Sequence, residues 1–133
     1  MGVSYLLDTH VLVWLTGNQA PPLRPQVSDL LADVGARVLV SAVSAVEIAT
    51  KVRLGKLEVA RRALETWPEP LLKLGAEELA MTSQHALVAG GLAWEHRDPF
   101  DRLLVAQALA EDLTLLSADR VMLGAPGLRL LPW

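Results

Sequence analysis

The sequence of 133 residues has the length of one domain, and its 52% hydrophobic and 20% charged residues exclude intrinsic disorder and fibrous architectures. It contains no cysteine, which excludes a disulfide framework, a thiolate nucleophile and cysteine-ligated zinc, so any metal would bind oxygen or imidazole ligands. The net charge of −3 disfavours a nucleic-acid partner at first sight, and the lack of a signal peptide or of a membrane-spanning apolar run predicts a cytoplasmic protein.

The first half of the chain predicts two units in which a buried strand leads into a helix. Residues 4–8 form a short apolar run closed by an acid, and apolar residues then recur at helical spacing over 9–15. After a proline pair, the same spacing predicts a second helix over 23–34. The β-branched run 38–40 predicts a second strand that enters a helix over 41–54.

The second half continues this alternation. Its predicted elements are a helix over 58–74 interrupted at Trp67-Pro68, a weak strand at 79–81, a helix at 83–89, a helix from 99 to 111, a strand at 114–116 and a last strand at 128–131. Alternating strands and helices imply right-handed crossovers and a sheet covered on both faces. We therefore predict a single domain, residues 1–133, with an α/β fold and a mainly parallel central sheet of four to five strands.

Four acids follow the predicted strands or begin the helices beside them: Asp8, Glu47, Asp101 and Asp119. In open parallel sheets ligands bind beyond the carboxyl ends of the strands, so these side chains are the first candidates for a site. Each also has a simpler interpretation as a helix cap. Asp8, Asp98 before Pro99, and Asp119 suit N-cap positions, Asp101 suits a first helical turn, and Ser44 with Glu47 fits a capping box.

Capping explains why each acid begins a helix, but not why all four acids lie at the same edge of one sheet. Carboxylates gathered beside apolar strands repel one another unless a cation lies between them. Oxygen ligands without cysteine favour Mg²⁺ or Mn²⁺. A water activated by such a cation attacks phosphorus and leaves 5′-phosphate and 3′-hydroxyl ends, so phosphodiester hydrolysis is the chemistry that this pattern indicates.

Five segments carry a resemblance to a known family: LLDTHV at 6–11, SAVSAVEIA at 41–49, KVRLGKL at 51–57, HRDPFDR at 96–102 and SADR at 117–120. In order and separation they resemble PIN-domain ribonucleases, and most closely the VapC-type toxins of bacterial type II toxin–antitoxin pairs. The resemblance covers nearly the whole chain. It implies a PIN-like α/β/α sandwich, a Mg²⁺- or Mn²⁺-dependent endoribonuclease acting on structured cellular RNA, a homodimer, and inhibition by a cognate antitoxin.

The resemblance also implies roles for individual residues. By position, Asp8, Glu47, Asp101 and Asp119 match the family's four catalytic and metal-binding acids, and Ser117 matches a small hydroxyl residue that would support them. Asp98 is the ambiguous acid, because Asp101 fits the third position better; we expect Asp98 to cap the helix and to lie at the periphery of the site.

Basic residues offer candidate RNA contacts. Arg97 and Arg102 flank the third acid and could clamp phosphate. Lys51 and Arg53 belong to a basic stretch, residues 51–62, in which five basic residues face one acid and offset the negative net charge locally. The alternative for all four is a solvated helix surface, and acids of an antitoxin could also use the basic stretch.

The histidines and tryptophans are expected to have structural or supporting roles rather than catalytic ones. His10 and His96 are expected to play surface or supporting roles rather than to act as a general base, and His85 is expected on a helix surface. Trp14, Trp67 and Trp94 are expected in the core or an interface rather than stacked on bases.

Two other enzyme classes fit poorly, and one non-enzymatic alternative stays open. An aspartate-nucleophile phosphatase needs a second acid two residues after the first, where His10 stands, and a receiver domain needs a late lysine, whereas the last lysine is Lys73. The open alternative is a catalytically silent PIN-fold module that binds RNA or a protein partner, although the presence of all four acids argues against it.

Overall fold

The computed structural model describes residues 3–17, 21–22 and 24–133, and its centre is one five-stranded sheet. The strands are β1 (Ser4–Leu7), β2 (Arg37–Ser41), β3 (Glu77–Leu79), β4 (Thr114–Ser117) and β5 (Leu130–Pro132), in the order β3-β2-β1-β4-β5. Every neighbouring pair is parallel. The predicted α/β fold with a mainly parallel sheet is therefore confirmed.

Seven α-helices surround the sheet in the described residues. They are α1 (Thr9–Thr16), α2 (Pro25–Ala32), α3 (Ala42–Arg53), α4 (Arg61–Glu65), α5 (Glu69–Leu74), α6 (Ser83–Gly91) and α7 (Pro99–Ala110), with 3₁₀ helices at Glu58–Ala60 and Arg120–Gly124. The predicted helix over 23–34 is seen as α2, and Leu23 itself lies outside the described residues. The predicted interruption at Trp67-Pro68 separates α4 from α5.

The three central strands owe their position to apolar side chains that alternate between the two faces. Leu7 packs with the helices α1, α2 and α3 on one face, whereas Leu6 packs with α7 on the other. Both leucines are fully buried, as expected for a parallel strand covered on both sides. Trp14 and Trp67 pack against the first of these clusters and Trp94 against the second, in agreement with their predicted structural roles.

The third strand lies two residues earlier than predicted. β3 begins at Glu77 and pairs with Leu39 and Val40 of β2, although the sequence favoured 79–81. As an edge strand it is half solvated, so its glutamates can reach water and Glu77 can pair with Arg37 at 2.5 Å. A search for apolar runs therefore missed its start.

The predicted surface position of His85 is wrong. His85 is 1% exposed, and its Nδ1 accepts a hydrogen bond from the backbone N–H of Thr82, the N-cap of α6, while the Thr82 hydroxyl accepts from the His85 N–H. This reciprocal pair is a capping box in which imidazole replaces the usual Glu or Gln. Its burial is possible because Glu111 accepts from the other ring nitrogen at 2.8 Å.

The parallel arrangement brings the carboxyl ends of β1, β2 and β4 to one edge, and α1 and α3 begin directly there. Among the described helices, none has both the length and the apolar character required to cross a membrane.

Candidate metal centre

Asp8 lies at the middle of this edge, where β1 ends and α1 begins. It is 4% exposed, and both carboxylate oxygens accept hydrogen bonds, Oδ1 from the Thr9 N–H at 2.7 Å and Oδ2 from the Ser117 hydroxyl at 2.5 Å. Burial raises the pKa of Asp8, and the nearby charge of Glu47 raises it further, while the bonds from Ser117 and Thr9 oppose the shift. The carboxylate is thus fixed in direction by two donors, and the charge of the nearby His10 also lowers its pKa, ahead of the smaller opposite effect of Glu47.

Glu47 comes to the same place from the second turn of α3. Its side chain is 7% exposed, and Oε2 accepts a hydrogen bond from the Lys51 ammonium at 2.6 Å, one helical turn further on. The influence of Glu47 on Asp8 shows that the two carboxylates lie close enough to repel each other. Lys51 is the nearest compensation, and it is still partly exposed.

The start of α3 differs from the capping-box alternative. The N-cap is Ser41, whose hydroxyl accepts from the Val43 N–H, so Ser44 and Glu47 do not form the cap. Ser44 instead shares a buried hydrogen bond of 2.9 Å with the hydroxyl of Thr9. This bond joins the first turns of α1 and α3, and so it fixes the helix that carries Glu47 relative to Asp8.

Asp101 reaches the edge from the first turn of α7. Asp98 caps that helix by accepting from the N–H groups of Phe100 and Asp101, as the sequence predicts for an acid before Pro99. Burial raises the pKa of Asp101 to about 6; a hydrogen bond from His96 opposes the shift, whereas the charges of Asp98 and Asp8 add to it. Asp101 therefore shares the electrostatic environment of Asp8.

Asp119 differs from the other three acids because its side chain is exposed. It follows β4 and caps the 3₁₀ helix, where Oδ1 accepts from the Val121 N–H at 3.1 Å. Its own N–H donates to the Ser117 hydroxyl, which in turn donates to Asp8. Ser117 thus connects the acids that follow β1 and β4, and Asp119 lies at the rim of the group.

We call Asp8, Glu47 and Asp101 the acid cluster. The charge of Glu47 acts on Asp8 and that of Asp8 acts on Asp101, and Asp119 is linked to Asp8 through Ser117. Within the described residues, the acids whose ligand atoms lie within 4.8 Å of one another are Asp98 and Asp101, together with His96. Carboxylates in such a group, with raised pKa values at two of them, are oxygen ligands that suit Mg²⁺ or Mn²⁺. The donor set therefore fits a divalent cation.

His96, for which the sequence favoured a surface or supporting role, lies beside Asp101. Its Nε2 lies 2.7 Å from Oδ2 of Asp101, and one ligand atom each from His96, Asp98 and Asp101 lie within 4.8 Å of one another. The signal in the sequence was its place at the head of the segment HRDPFDR, five residues before Asp101. Nothing in that spacing says that an irregular loop turns the imidazole towards the acid.

Two of the four candidate RNA-binding residues are exposed, and the other two are bonded within the protein. Arg97 and Arg53 are exposed, whereas the Lys51 ammonium bonds to Glu47. Arg102, which the sequence offered as a possible phosphate clamp, instead donates all five N–H groups of its guanidinium to backbone carbonyl oxygens.

Comparisons with known proteins agree with this fold. The family model of the PIN domain matches residues 5–127, so the chain belongs to the PIN-domain family. A comparison with curated protein sequences gives no match.

Solved structures give several matches over nearly the full length. A chain of VapBC2 from Rickettsia felis, solved bound to a DNA fragment from its promoter, has a TM-score of 0.72 and 21% identity, covering 98% of this chain and 99% of that one. VapBC-1 from nontypeable Haemophilus influenzae gives 0.64 and 19%, covering 98% of each chain. FitAcB from Neisseria gonorrhoeae gives 0.61 and 21%, covering 96% of each. At these identities the likeness is one of fold.

Proposed function

We propose that this protein is a metal-dependent endoribonuclease that hydrolyses phosphodiester bonds of structured cellular RNA. The observation that carries the proposal is the position of Asp8. Its buried carboxylate lies at the carboxyl edge of a parallel sheet, in electrostatic contact with two further acids. A cation favours the ionised form of acids that raise one another's pKa, and cation-assisted phosphodiester hydrolysis uses carboxylates in this position.

Each acid has a separate part in the proposed site. Asp8, Glu47 and Asp101 would hold Mg²⁺ or Mn²⁺ as the catalytic ligands, and Asp119 would complete the set from the rim. Ser117 would keep one oxygen of Asp8 in a fixed direction, since its hydroxyl donates to that oxygen. A bound cation of this kind lowers the pKa of water and neutralises charge that develops on the phosphate.

The exposed arginines would orient the RNA. Arg97 follows His96 within the loop that leads to α7, and Arg53 is the last residue of α3, the helix that carries Glu47. Phosphate contacts from such residues position a nucleic acid without reading its bases. Lys51 would join them only if the cation displaced it from Glu47.

We further propose that the protein is the toxin of a VapC-type pair, that it acts in the cytoplasm as a homodimer, and that a cognate antitoxin neutralises it. Support comes from the segments that resemble VapC-type toxins and from the fold shared with chains of the VapBC and FitAcB structures. The match to the PIN-domain model over residues 5–127 supports treating residues 1–133 as one nuclease domain.

Cleavage of RNA by the purified protein tests the activity. We expect cutting with Mg²⁺ or Mn²⁺, no cutting after a chelator is added, and 5′-phosphate and 3′-hydroxyl ends on the products. Equal cutting by a folded Asp8→Asn protein would contradict the proposed site. Cyclic phosphate ends would indicate attack by the RNA 2′-hydroxyl and would contradict cation-assisted hydrolysis by water.

One observation favours the silent module as the second candidate. The Lys51 ammonium already lies 2.6 Å from Glu47, in a position where it partly replaces a cation. If that ion pair persists in solution at millimolar Mg²⁺, the fold would bind RNA or a protein partner without cutting. RNA binding without cleavage under every divalent cation tested would decide for this candidate.

A further inference from the structure

Arg102 uses its whole guanidinium on the protein's own backbone. Nε and Nη2 donate to the Ala89 carbonyl at 3.1 and 2.7 Å, Nη2 also donates to Leu92 at 3.0 Å, and Nη1 donates to Trp94 at 2.6 Å and to His96 at 3.1 Å. An arginine side chain has five N–H donors, and all five are used here. Because all of its donors bond to four backbone carbonyls, Arg102 has a structural role.

The carbonyls belong to the end of α6 and to the loop that follows it. Residues 92–98 form neither helix nor strand, and the loop runs from Leu92 to the N-cap of α7. The last carbonyls of a helix lack partners within the helix and carry the negative end of its dipole, so a cation is favourable there. Arg102 therefore fixes an otherwise irregular loop to the first turn of α7.

The fixed loop presents His96 to the acid cluster. The Trp94 ring packs against the imidazole with a centroid distance of 4.9 Å, and His96 Nε2 lies 2.7 Å from Asp101 Oδ2. An ionised carboxylate has no proton to give, so the Nε2–H group donates to it. One oxygen of Asp101 is thereby engaged and the direction of the carboxylate is set.

We propose that His96 is a positioning residue for the Asp101 carboxylate, and that Arg102 acts on Asp101 through His96 by holding the loop. The inference rests on the proposed function, because it assumes that Asp101 binds the divalent cation. Outer partners that orient a ligating side chain commonly change metal affinity by about 10–100-fold when they are removed. Arg102 would be one step further out, without touching either the acid or the cation.

Titration calorimetry with Mg²⁺ alone tests the hydrogen bond. We expect His96→Leu to weaken Mg²⁺ binding by about 10–100-fold and His96→Gln to recover most of the loss, since its amide nitrogen can replace Nε2–H. His96 is a quarter exposed and lies in a loop, so neither substitution should change the thermal midpoint much. Wild-type affinity in His96→Leu, or a loss in His96→Gln equal to that in His96→Leu, would overturn the proposal.

The ring itself gives a second readout. In long-range ¹H–¹⁵N spectra of the wild-type protein, we expect the Nε2–H signal of His96 to persist when Mg²⁺ is added. Loss of that proton on Mg²⁺ binding would mean that Nε2 ligates the cation directly, which would overturn the positioning role.

The action of Arg102 through His96 is tested by a double-mutant cycle. A lysine has three N–H donors on one nitrogen and cannot reach four carbonyls, so Arg102→Lys should weaken Mg²⁺ binding, but not further when His96→Leu is already present. Arg129→Lys is the matched control, because Arg129 bonds to Asp112 and touches no residue of the site. Full additivity in the double variant would overturn the route through His96.

Asp101→Asn distinguishes a failure of the proposed metal site from a failure of the positioning role of His96. If this variant keeps wild-type Mg²⁺ affinity, the metal site of the proposed function is wrong. If Asp101→Asn loses affinity while His96→Leu retains it, the site stands and only the positioning role fails.

Discussion

Two groups of buried polar side chains lie near the carboxyl end of β2, and they differ in how they are satisfied. The first is a neutral network of Ser41, Gln107 and His85, in which the Ser41 hydroxyl donates to the Gln107 carbonyl oxygen. The Gln107 amide donates to the Ala80 carbonyl at 3.3 Å and to His85 Nδ1 at 3.4 Å. The second group is the acid cluster, whose members repel one another.

The difference separates structural from functional polar groups. In the neutral network each side chain has protein partners, so its burial needs nothing from outside. In the acid cluster, burial and like charge raise the pKa values of Asp8 and Asp101, and Lys51 is the ammonium that the structure pairs with Glu47. A proton or a cation therefore stabilises this cluster, and this preference is the physical basis of the proposed activity.

The largest expected effect is the loss of RNA cleavage in Asp8→Asn. Removing a ligand should lower the rate by more than about 100-fold, since even outer partners of a metal site contribute 10–100-fold. The substitution removes a repelling charge but leaves one acceptor oxygen for the two donors Thr9 and Ser117, so the free energy of unfolding in urea should fall by at most about 1.5 kcal/mol, the contribution of one hydrogen bond. The matched control is Asp29→Asn on the exposed side of α2, which should leave cleavage unchanged.

The opposite pattern is expected in the neutral network. Gln107→Leu removes the acceptor of the buried Ser41 hydroxyl, at a cost of about 1–3 kcal/mol, whereas His85 Nδ1 keeps its bond from the Thr82 N–H. Urea unfolding should show this loss, and Gln84→Leu on the exposed face of α6 should not. Unchanged stability in Gln107→Leu would remove the distinction between the two groups.

The pH dependence of stability sharpens the same comparison. Burial raises the pKa of Asp101 to about 6 from its ordinary value of 3.8, so the native state binds more protons than the unfolded chain between these values. Without divalent cations, stability should therefore fall as the pH rises from about 4 to about 6. The loss amounts to about 1–3 kcal/mol, at 1.36 kcal/mol for each pKa unit.

Asp101→Asn isolates this contribution. The variant has no proton to lose at that position, so it should be more stable than the wild type at pH 7 and nearly equal at pH 4. Urea unfolding at several pH values with a chelator present measures the difference. If the two proteins kept the same difference in stability at every pH, the Asp101 carboxylate would not be the group that titrates.

Most of the fold could be predicted from the sequence, because apolar spacing reports burial directly. The runs that end at Leu7 and Val40 became β1 and β2, since a strand buried on both faces must be continuously apolar. β3 was misplaced because an edge strand such as Glu77–Leu79 does not need that pattern. The parallel order then brought Asp8 and Glu47 to one edge, as the sequence indicated.

The details of the site were harder to predict, because they depend on side-chain directions that spacing does not encode. Arg102 and His96 stand in one motif, yet the first bonds only to carbonyls and the second turns towards Asp101. His85 shows the same limit. Its burial depends on Glu111, which lies 26 residues away, directly after the end of α7.

The smallest expected effect is that of replacing Lys51. Lys51 gives Glu47 a partner within the protein, as each side chain of the neutral network has. Its ammonium bonds to Glu47 and competes with a cation for the same oxygen, so Lys51→Met should strengthen Mg²⁺ binding up to about fivefold, the equivalent of an ion pair of at most about 1 kcal/mol. Calorimetry without RNA measures this directly, with Lys73→Met, which removes an exposed pair with Glu69, as the control. Weaker Mg²⁺ binding in Lys51→Met would mean that the ion pair holds Glu47 in place, so that Glu47, like the neutral network, is satisfied by the protein itself.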